Sequence, residues 1–408
     1  MRAAVRVDGH SPVHYRQTSA SGQSSASRWR MLSSTPMRRL PVIFLLCLSC
    51  IALSRAVLAQ QDGTPPESRD TQATVTRILD DKVVDGNRQM RFEAQDAGGA
   101  SYEVDTSSSY TEGLRYDVRP GDRVLLVLLP NEGGGYDAQL ADVIRTRGLL
   151  MIVALFALLT VAVGLMRGFT SLVGLAVTIG ILFGLVLPRI LSGGDPVLTT
   201  ALGGAGILAV NMHLSHGFSR RTFVAFLSTV LSLGLAVVFA RLFTAWGRLS
   251  GMGSEEAAFL SWQMGAGWDA HGILLAGMIL GAVGVLDDIA VTQTEAVAEI
   301  AQANPSLSPR ELYVRAMRVG RHHIASTVNT LVLAYAGASL PLLLLFLNSS
   351  VSYSLFANTE VVAEQVVQTL AGTAALVLSV PISTFLASRL AASNDGVHKE
   401  LDGHRHAG

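Results

Sequence analysis

The stretch "LLMIVALFALLTVAVGLM", Leu149 to Met166, carries no charged side chain over its whole length. At about 1.5 Å of helical rise per residue it reaches most of the way across about 30 Å of hydrocarbon. Apolar runs of comparable length recur after it, at about 169–188, 197–215, 222–245, 271–291, 324–347 and 363–388. The reading is an all-α polytopic membrane bundle of seven transmembrane helices over 147–390. Composition agrees: 50% of the 408 residues are hydrophobic and 15% charged, against about 25% charged in ordinary soluble domains. The 31 basic and 31 acidic residues cancel, so no global field points to nucleic acid.

Upstream, the character changes. "TQATVTRIL", "QMRFEAQD", "SYEVDTSS", "RVLLVLLP" and "YDAQLADVIR" read as five short strands separated by Gly, Asn or Asp. Pro120 and Gly121 supply a turn. The expectation over 72–146 is a small OB-like β-barrel. Basic and stacking aromatic residues are sparse along the strands, so nucleic acid is not an expected ligand. A structural or partner-binding domain outside the membrane is.

Ahead of a linker at 60–71, "MRRLPVIFLLCLSCIALSRAVLAQQ" has two arginines, a short apolar run and small residues before Gln60. This is signal-peptide architecture over 37–59, with cleavage after Ala59. A lipid-anchored Cys50 is the alternative, although "CLSC" lacks the usual leading Leu. Cys47 and Cys50 are the chain's only cysteines, so a cleaved protein has neither disulfides nor a thiolate metal site. Residues 1–36 read either as a disordered extension or as an over-long start, with Met31 or Met37 the true one. The tail 391–408 reads as disordered.

Arg and Lys placement sets the expected orientation. With the β domain exported, one set of connections holds Arg167, Arg220, Arg221, Arg310, Arg315, Arg318, Arg321, Arg389, Lys399 and Arg405, and the other only Arg189 and Arg248. The expected site is the bacterial cytoplasmic membrane, with the N-terminal domain outside and the C-terminus in the cytoplasm. Trp246, Trp262 and Trp268 cluster at one expected outer boundary. Two helix starts are legible: Asp195 with Pro196, and Ser308 with Pro309 and a Glu311 that completes a capping box.

Inside the fifth run, "GAVGVLDDIAVTQTEAV" (Gly281–Val297) places two acids at a span's end. Taking about 100° per residue, Gly277, Gly281, Gly284, Asp288, Thr292, Glu295 and Glu299 share one face. The glycines suit close approach of a neighbouring helix, and Asp288 is expected to point into that contact. An aspartate near a span's centre costs on the order of 3 kcal/mol on insertion scales. Two adjacent, partly desolvated carboxyls do not both ionise easily, which suits proton binding and release. The alternative is that the span ends near Leu286 and the acids are solvated. In the sixth run, "GRHHIASTVNTLVLAYAG" sets His322, Ser326, Thr330 and Gly337 on one face with Asn329 beside it, either lining a path or holding helices together. His213 and His216 are one turn apart and form only a weak metal candidate.

The segment "GAVGVLDDIAVTQTEAVAEIAQANPSLSPRELYVRAMRVGRHHIASTVNTLVLAYAGASLPLLLL" resembles the YibE/F-like family of bacterial multi-pass membrane proteins, with looser likeness from about Thr71 to Leu390. The resemblance implies an exported N-terminal domain and a helical bundle with a permease role of undefined substrate. Carried over by position, it singles out Asp287, Asp288, Arg321, Asn329, Thr330 and Tyr335. His322 departs from the acid the resemblance leads one to expect, which puts charge pairing with Arg321 in doubt.

The expected function is transport of an unknown small solute or ion, proton-coupled through Asp288, with no cofactor named. The competing function is a non-transporting envelope factor whose exported β domain binds a protein partner. An enzyme is not expected: both acids lie on one helix, no other span offers a carboxylate at depth, and neither a zinc-protease nor a serine-protease motif is present.

Overall fold

The computed structural model describes residues 69–84, 87–107, 118–131, 136–349 and 352–403. The expected N-terminal extension, the expected signal peptide with both cysteines, most of the expected linker and the last five residues lie outside them.

Five strands form the first domain: β1 (Arg69–Val84), β2 (Asn87–Asp96), β3 (Ser101–Asp105), β4 (Arg123–Pro130) and β5 (Tyr136–Val143). They close a barrel in the order β1-β2-β3-β5-β4. The long β1 pairs antiparallel with both β2 and β4, and β3 meets β5 in parallel. Alternation decides the inside: Val124, Leu126 and Leu128 from β4 and Met90, Phe92 and Ala94 from β2 are buried with Val75, Val104 and Leu140, while intervening residues carry cross-strand ion pairs such as Arg88–Asp81 at 2.6 Å. The turn before β4 uses Gly121 at φ 94°, with Gly121 N–H donating to Val75 C=O at 2.8 Å.

The remaining chain is helical: α1 (Thr146–Ile181), a π turn (Leu182–Val186), α2 (Leu187–Leu191), α3 (Pro196–His216), α4 (Arg220–Gly247), α5 (Glu255–Met264), α6 (Ala270–Ala303), α7 (Pro309–Ala338), α8 (Leu340–Asn348), α9 (Tyr353–Ala357) and α10 (Glu360–Gly403). Among the described residues, five helical stretches are long and apolar enough to cross a membrane, or six if α7 and α8, bent by 61° at their junction, count as one. The first stretch runs unbroken for 46 residues, Thr146–Leu191, about 69 Å of helix and more than twice a bilayer core. It is not straight. Leu165 takes φ 50°, and a Cβ on Gly168 would lie 2.1 Å from the Thr160 carbonyl oxygen. Residues eight apart in a straight helix are about 12 Å apart, so the chain bends sharply between the two expected runs.

The expected caps are present. Asp195 accepts from Leu198 N–H at 2.7 Å. Ser308 and Glu311 form the reciprocal capping box, with Pro309 at the first helical position. At the other end of the chain, α10 runs on to Gly403, so helix replaces the expected disorder from 391 to that point.

Helix α6 is central, packing on α3, α4, α7 and α10. The seam between α4 and α10 explains how the bundle holds. On α4, Ser228, Ser232, Ala236, Ala240 and Thr244 are buried, a small residue every fourth position. On α10 the buried set is Ala371, Ala375, Ser379, Ser383 and Ala387, with the same spacing. The two helices run antiparallel: Ser250, just after α4, bonds Glu360 at the start of α10, and Val224 packs with Ala387 and Ala391 at the far end. Hydrocarbon surroundings give helices no hydrophobic reason to associate, so close backbone approach over small residues takes that part.

Candidate functional site

Asp287 and Asp288 sit seven to eight residues before Glu295, whose carboxylate lies 4.0 Å from Arg221. That places them about 10–12 Å along the helix from the charged end of the bundle, still within the apolar part of α6. Their surroundings differ. Asp288 is exposed, as are Gly277, Gly284, Thr292, Glu295 and Glu299. Asp287 is half-buried. Four residues before it, Val283 fills the space over Gly204 of α3; three after it, Ala290 packs with Met212 of α3 and Ala225 of α4. Asp287 therefore lies on the α3 side of α6. Among the described residues neither carboxyl has a hydrogen-bond or ion-pair partner.

This arrangement corrects the expected one in two respects. First, the Gly277–Gly284 stripe with Asp288 is not a packing face within one chain. Around the positions of Cβ atoms on Gly277 and Gly284 there is nothing within 4 Å; only Gly281 is approached, with the Tyr335 hydroxyl 3.0 Å from where its Cβ would be. The packed faces of α6 carry larger residues such as Leu275, Ile279, Leu286 and Ile289. Second, the polar stripe of α7 does not look at Asp288. Tyr335 points to α6, whereas Asn329 and Thr330 are exposed, about 120–140° round the helix from it. The Thr330 hydroxyl donates to its own helix at Ser326 C=O, 3.0 Å. Arg321 is exposed and His322 beside it likewise; Arg321 lies within about 40° of Tyr335 but pairs with neither aspartate.

Sequence reasoning missed the polar groups that the bundle does bury. Gln293 is 3% exposed. Its Nε2 donates to Ala316 C=O at 3.0 Å and to Thr384 Oγ1 at 2.8 Å, joining α6, α7 and α10. Gly320 leaves room for it, since a Cβ there would stand 3.0 Å from Gln293 Oε1 and 2.5 Å from Val380. The buried hydroxyls of Thr294 on α6 and of Ser379 and Ser388 on α10 have no hydrogen-bond partner among the described residues. A repeat of small residues at every fourth position on two spans was the available signal.

The second missed group is Glu364, 7% exposed at the start of α10. It accepts from Gly253 N–H at 3.1 Å, while Glu360 accepts from Gly251 N–H at 2.9 Å and from Ser250 N–H. A side chain on Gly253 would collide with the Glu364 carboxylate. So α10 also holds a buried carboxylate, at its end and not at depth. It lies at the end where Gly251 meets Ala270, and Asp287 is 17 residues further along α6, about 25 Å away. The two cannot act as a catalytic dyad.

His213 Nδ1–H donates to Ala209 C=O at 2.7 Å, and its ring lies 4.8 Å from that of Phe218. His216, one turn on, is exposed. Among the described residues no group of three or more side chains is placed to hold a metal ion.

A central helix with adjacent acids, a capped helix after the Asn304–Pro305 break and the polar seventh helix coincide with residues 152–393, which match the family model described as YibE/F-like protein. The chain belongs to the YibE/F-like family. The match runs from within α1 to residue 393 of α10 and leaves out the barrel. No curated protein and no solved structure matches the chain. Within this YibE/F-like bundle, Asp287, Asp288, Tyr335, Asn329, Thr330 and Arg321 all fall inside the matched region.

Proposed function

We propose that this YibE/F-like protein is a transporter of a small solute or ion in the bacterial cytoplasmic membrane, coupled to protons through the Asp287–Asp288 pair. The observation that carries the reading is Asp287: a carboxyl half-buried against α3, inside an apolar span, with no partner among the described residues. A span keeps such a group only at a cost of a few kcal/mol. A fixed structural role would come with a hydrogen-bond partner, as Gln293 and Glu364 have. A carboxyl that binds and releases a proton, next to a second one that opposes double ionisation, has use for the vacancy.

The topology that fits is seven spans. The bend at Leu165 divides Thr146–Leu191 into two, and α3, α4, α6, the bent α7–α8 pair and α10 complete the count. The barrel would lie outside and the arginine-rich connections in the cytoplasm. Its strand order, with β1 between β2 and β4 and β3 parallel to β5, supports an OB-like domain.

The test is a solute screen by solid-supported-membrane electrophysiology on proteoliposomes, across metal cations, amino acids and cationic drugs. A solute that evokes current in the native protein is expected to evoke at least tenfold less in Asp287→Asn, with unchanged insertion. Equal currents in native protein and variant would dispose of proton coupling at this pair.

The envelope-factor reading has one observation of its own: β1 exposes Leu79, Val83 and Val84, an apolar strip that a protein partner could cover. It predicts no current for any solute, together with one dominant protein cross-linked through photoreactive residues at 83 and 84.

A further inference from the structure

The exposed face of α6 and the exposed face of α7 each pose the same difficulty in lipid. On α6 the outward residues are Gly277, Gly284, Asp288, Thr292, Glu295 and Glu299; on α7 they are His322, Ser326, Asn329, Thr330 and Gly337, with Arg318 about one turn and Arg315 about two turns before them. Acyl chains offer Asp288 and Asn329 no hydrogen bond, and each stands where several neighbouring residues are small. Among the described residues, no other helix covers either face. We propose that copies of this protein assemble head to tail in the membrane, the acidic face of α6 on one copy lying against the basic and polar face of α7 on the next.

Depth argues for this pairing. Within one chain α6 and α7 run antiparallel: Gly281 is level with Tyr335, and Gln293 with Ala316 and Gly320. Copies inserted in one orientation keep those levels. Asp288 of one copy then meets the level of Ser326 and Asn329 on the next, Glu295 and Glu299 meet Arg318 and Arg315, and the glycines of α6 meet the stretch that ends in Gly337. Glu295 keeps its long contact with Arg221 in its own chain, 4.0 Å, which leaves the carboxylate room for a second cation.

Charge argues against the symmetric choices. Two α6 faces set together would oppose Asp288, Glu295 and Glu299 to their own copies, and two α7 faces would oppose arginine to arginine. Like charges at such a contact cost several kcal/mol. A contact between two different faces is heterologous, and it closes into a ring when its rotation allows. The assembly would also bring Asn329 and Thr330 beside Asp288, which a single chain does not. The inference stands whether or not the protein transports.

Disulfide cross-linking in native membranes tests it, in a background with Cys47→Ser and Cys50→Ser. One tagged chain carries Gly284→Cys and a differently tagged chain Thr330→Cys. The expected result is an oxidised product containing both tags when they are co-expressed and none when either is expressed alone. Dimerisation of the Gly284→Cys chain alone would overturn the head-to-tail arrangement. Should the cysteine chains fail to insert, native mass spectrometry of the unaltered protein in nanodiscs decides: a single chain per particle overturns assembly, and three or more support it. Charge exchange adds a check against misfolding. Arg315→Glu should reduce the assembled fraction at least threefold, and Glu299→Arg in the same chain should restore it; failure of the second change to restore assembly would also count against the pairing.

Discussion

Gln293 is the residue on which the described bundle depends most visibly. Its amide spans three helices, and the site exists only because position 320 is glycine. Gly320→Ala places a methyl within 3.0 Å of the amide oxygen and closer still to Val380, an overpacking expected to cost about 1–3 kcal/mol. Gln293→Leu removes two hydrogen bonds and should cost about 1 kcal/mol, since interhelical bonds in membranes average less than that and rarely exceed 2. Thermal unfolding of the detergent-solubilised protein distinguishes them: the glycine change should lower the midpoint more than the glutamine change. In the barrel, Asp142 gives the pH-dependent case. The Val143 N–H and then the Arg145 guanidinium hold its carboxyl below the usual aspartate range. Its contribution is thus complete above the ordinary aspartate value and is lost as pH falls through the lower, folded value. Asp142→Asn should therefore reduce the barrel's protease resistance near pH 6 and make no difference near pH 2.

Elements differ in how openly the sequence declares them. The five strands were legible because a barrel in water sorts residues by polarity, so period-two alternation and a Pro-Gly turn suffice. Asp195 and Ser308 were legible because a cap is a local bond within four residues. The packed face of α6 was not. In a span every face is apolar, so periodicity does not choose, and the glycine stripe suggested contact where, among the described residues, only Gly281 is approached. What chooses is the shape of the partners: the every-fourth-residue ridges of α4 and α10, more than a hundred residues apart. That seam makes a prediction about size rather than polarity. Ser232 bonds its own helix at Ser228 C=O, 2.8 Å, so Ser232→Ala should be nearly neutral, whereas Ser232→Leu should cost about 1–3 kcal/mol. Comparable losses in both would mean that hydroxyls and not close approach hold the seam. The bend at Leu165 was half legible: Arg167 and Gly168 separated two apolar runs, but the contact of Gly168 with the Thr160 carbonyl needed coordinates.

At the scale of the whole molecule, the expected candidates divide. Asp287 and Tyr335 turn inward, while Asp288, Asn329 and Thr330 turn outward, so a path through one chain and a contact between chains draw on different members of the same set. No sequence pattern could separate them, because adjacent residues 100° apart look alike until neighbouring helices are placed. The proposed topology has its own test. A cysteine at Asn131, between β4 and β5, should react with a membrane-impermeant maleimide in intact cells, and one at Ser306 should react only after lysis. The reverse pattern would turn the whole assignment over. Finally, the α4–α10 seam has a consequence for biogenesis. Ribosomes deliver α4 well over a hundred residues before the helix that completes it, so its serines must wait among lipids or a chaperoning insertase until the last span emerges. A nascent chain halted before Ala371 would leave that ridge unmatched, and quality-control proteases would meet the protein in an unlocked form.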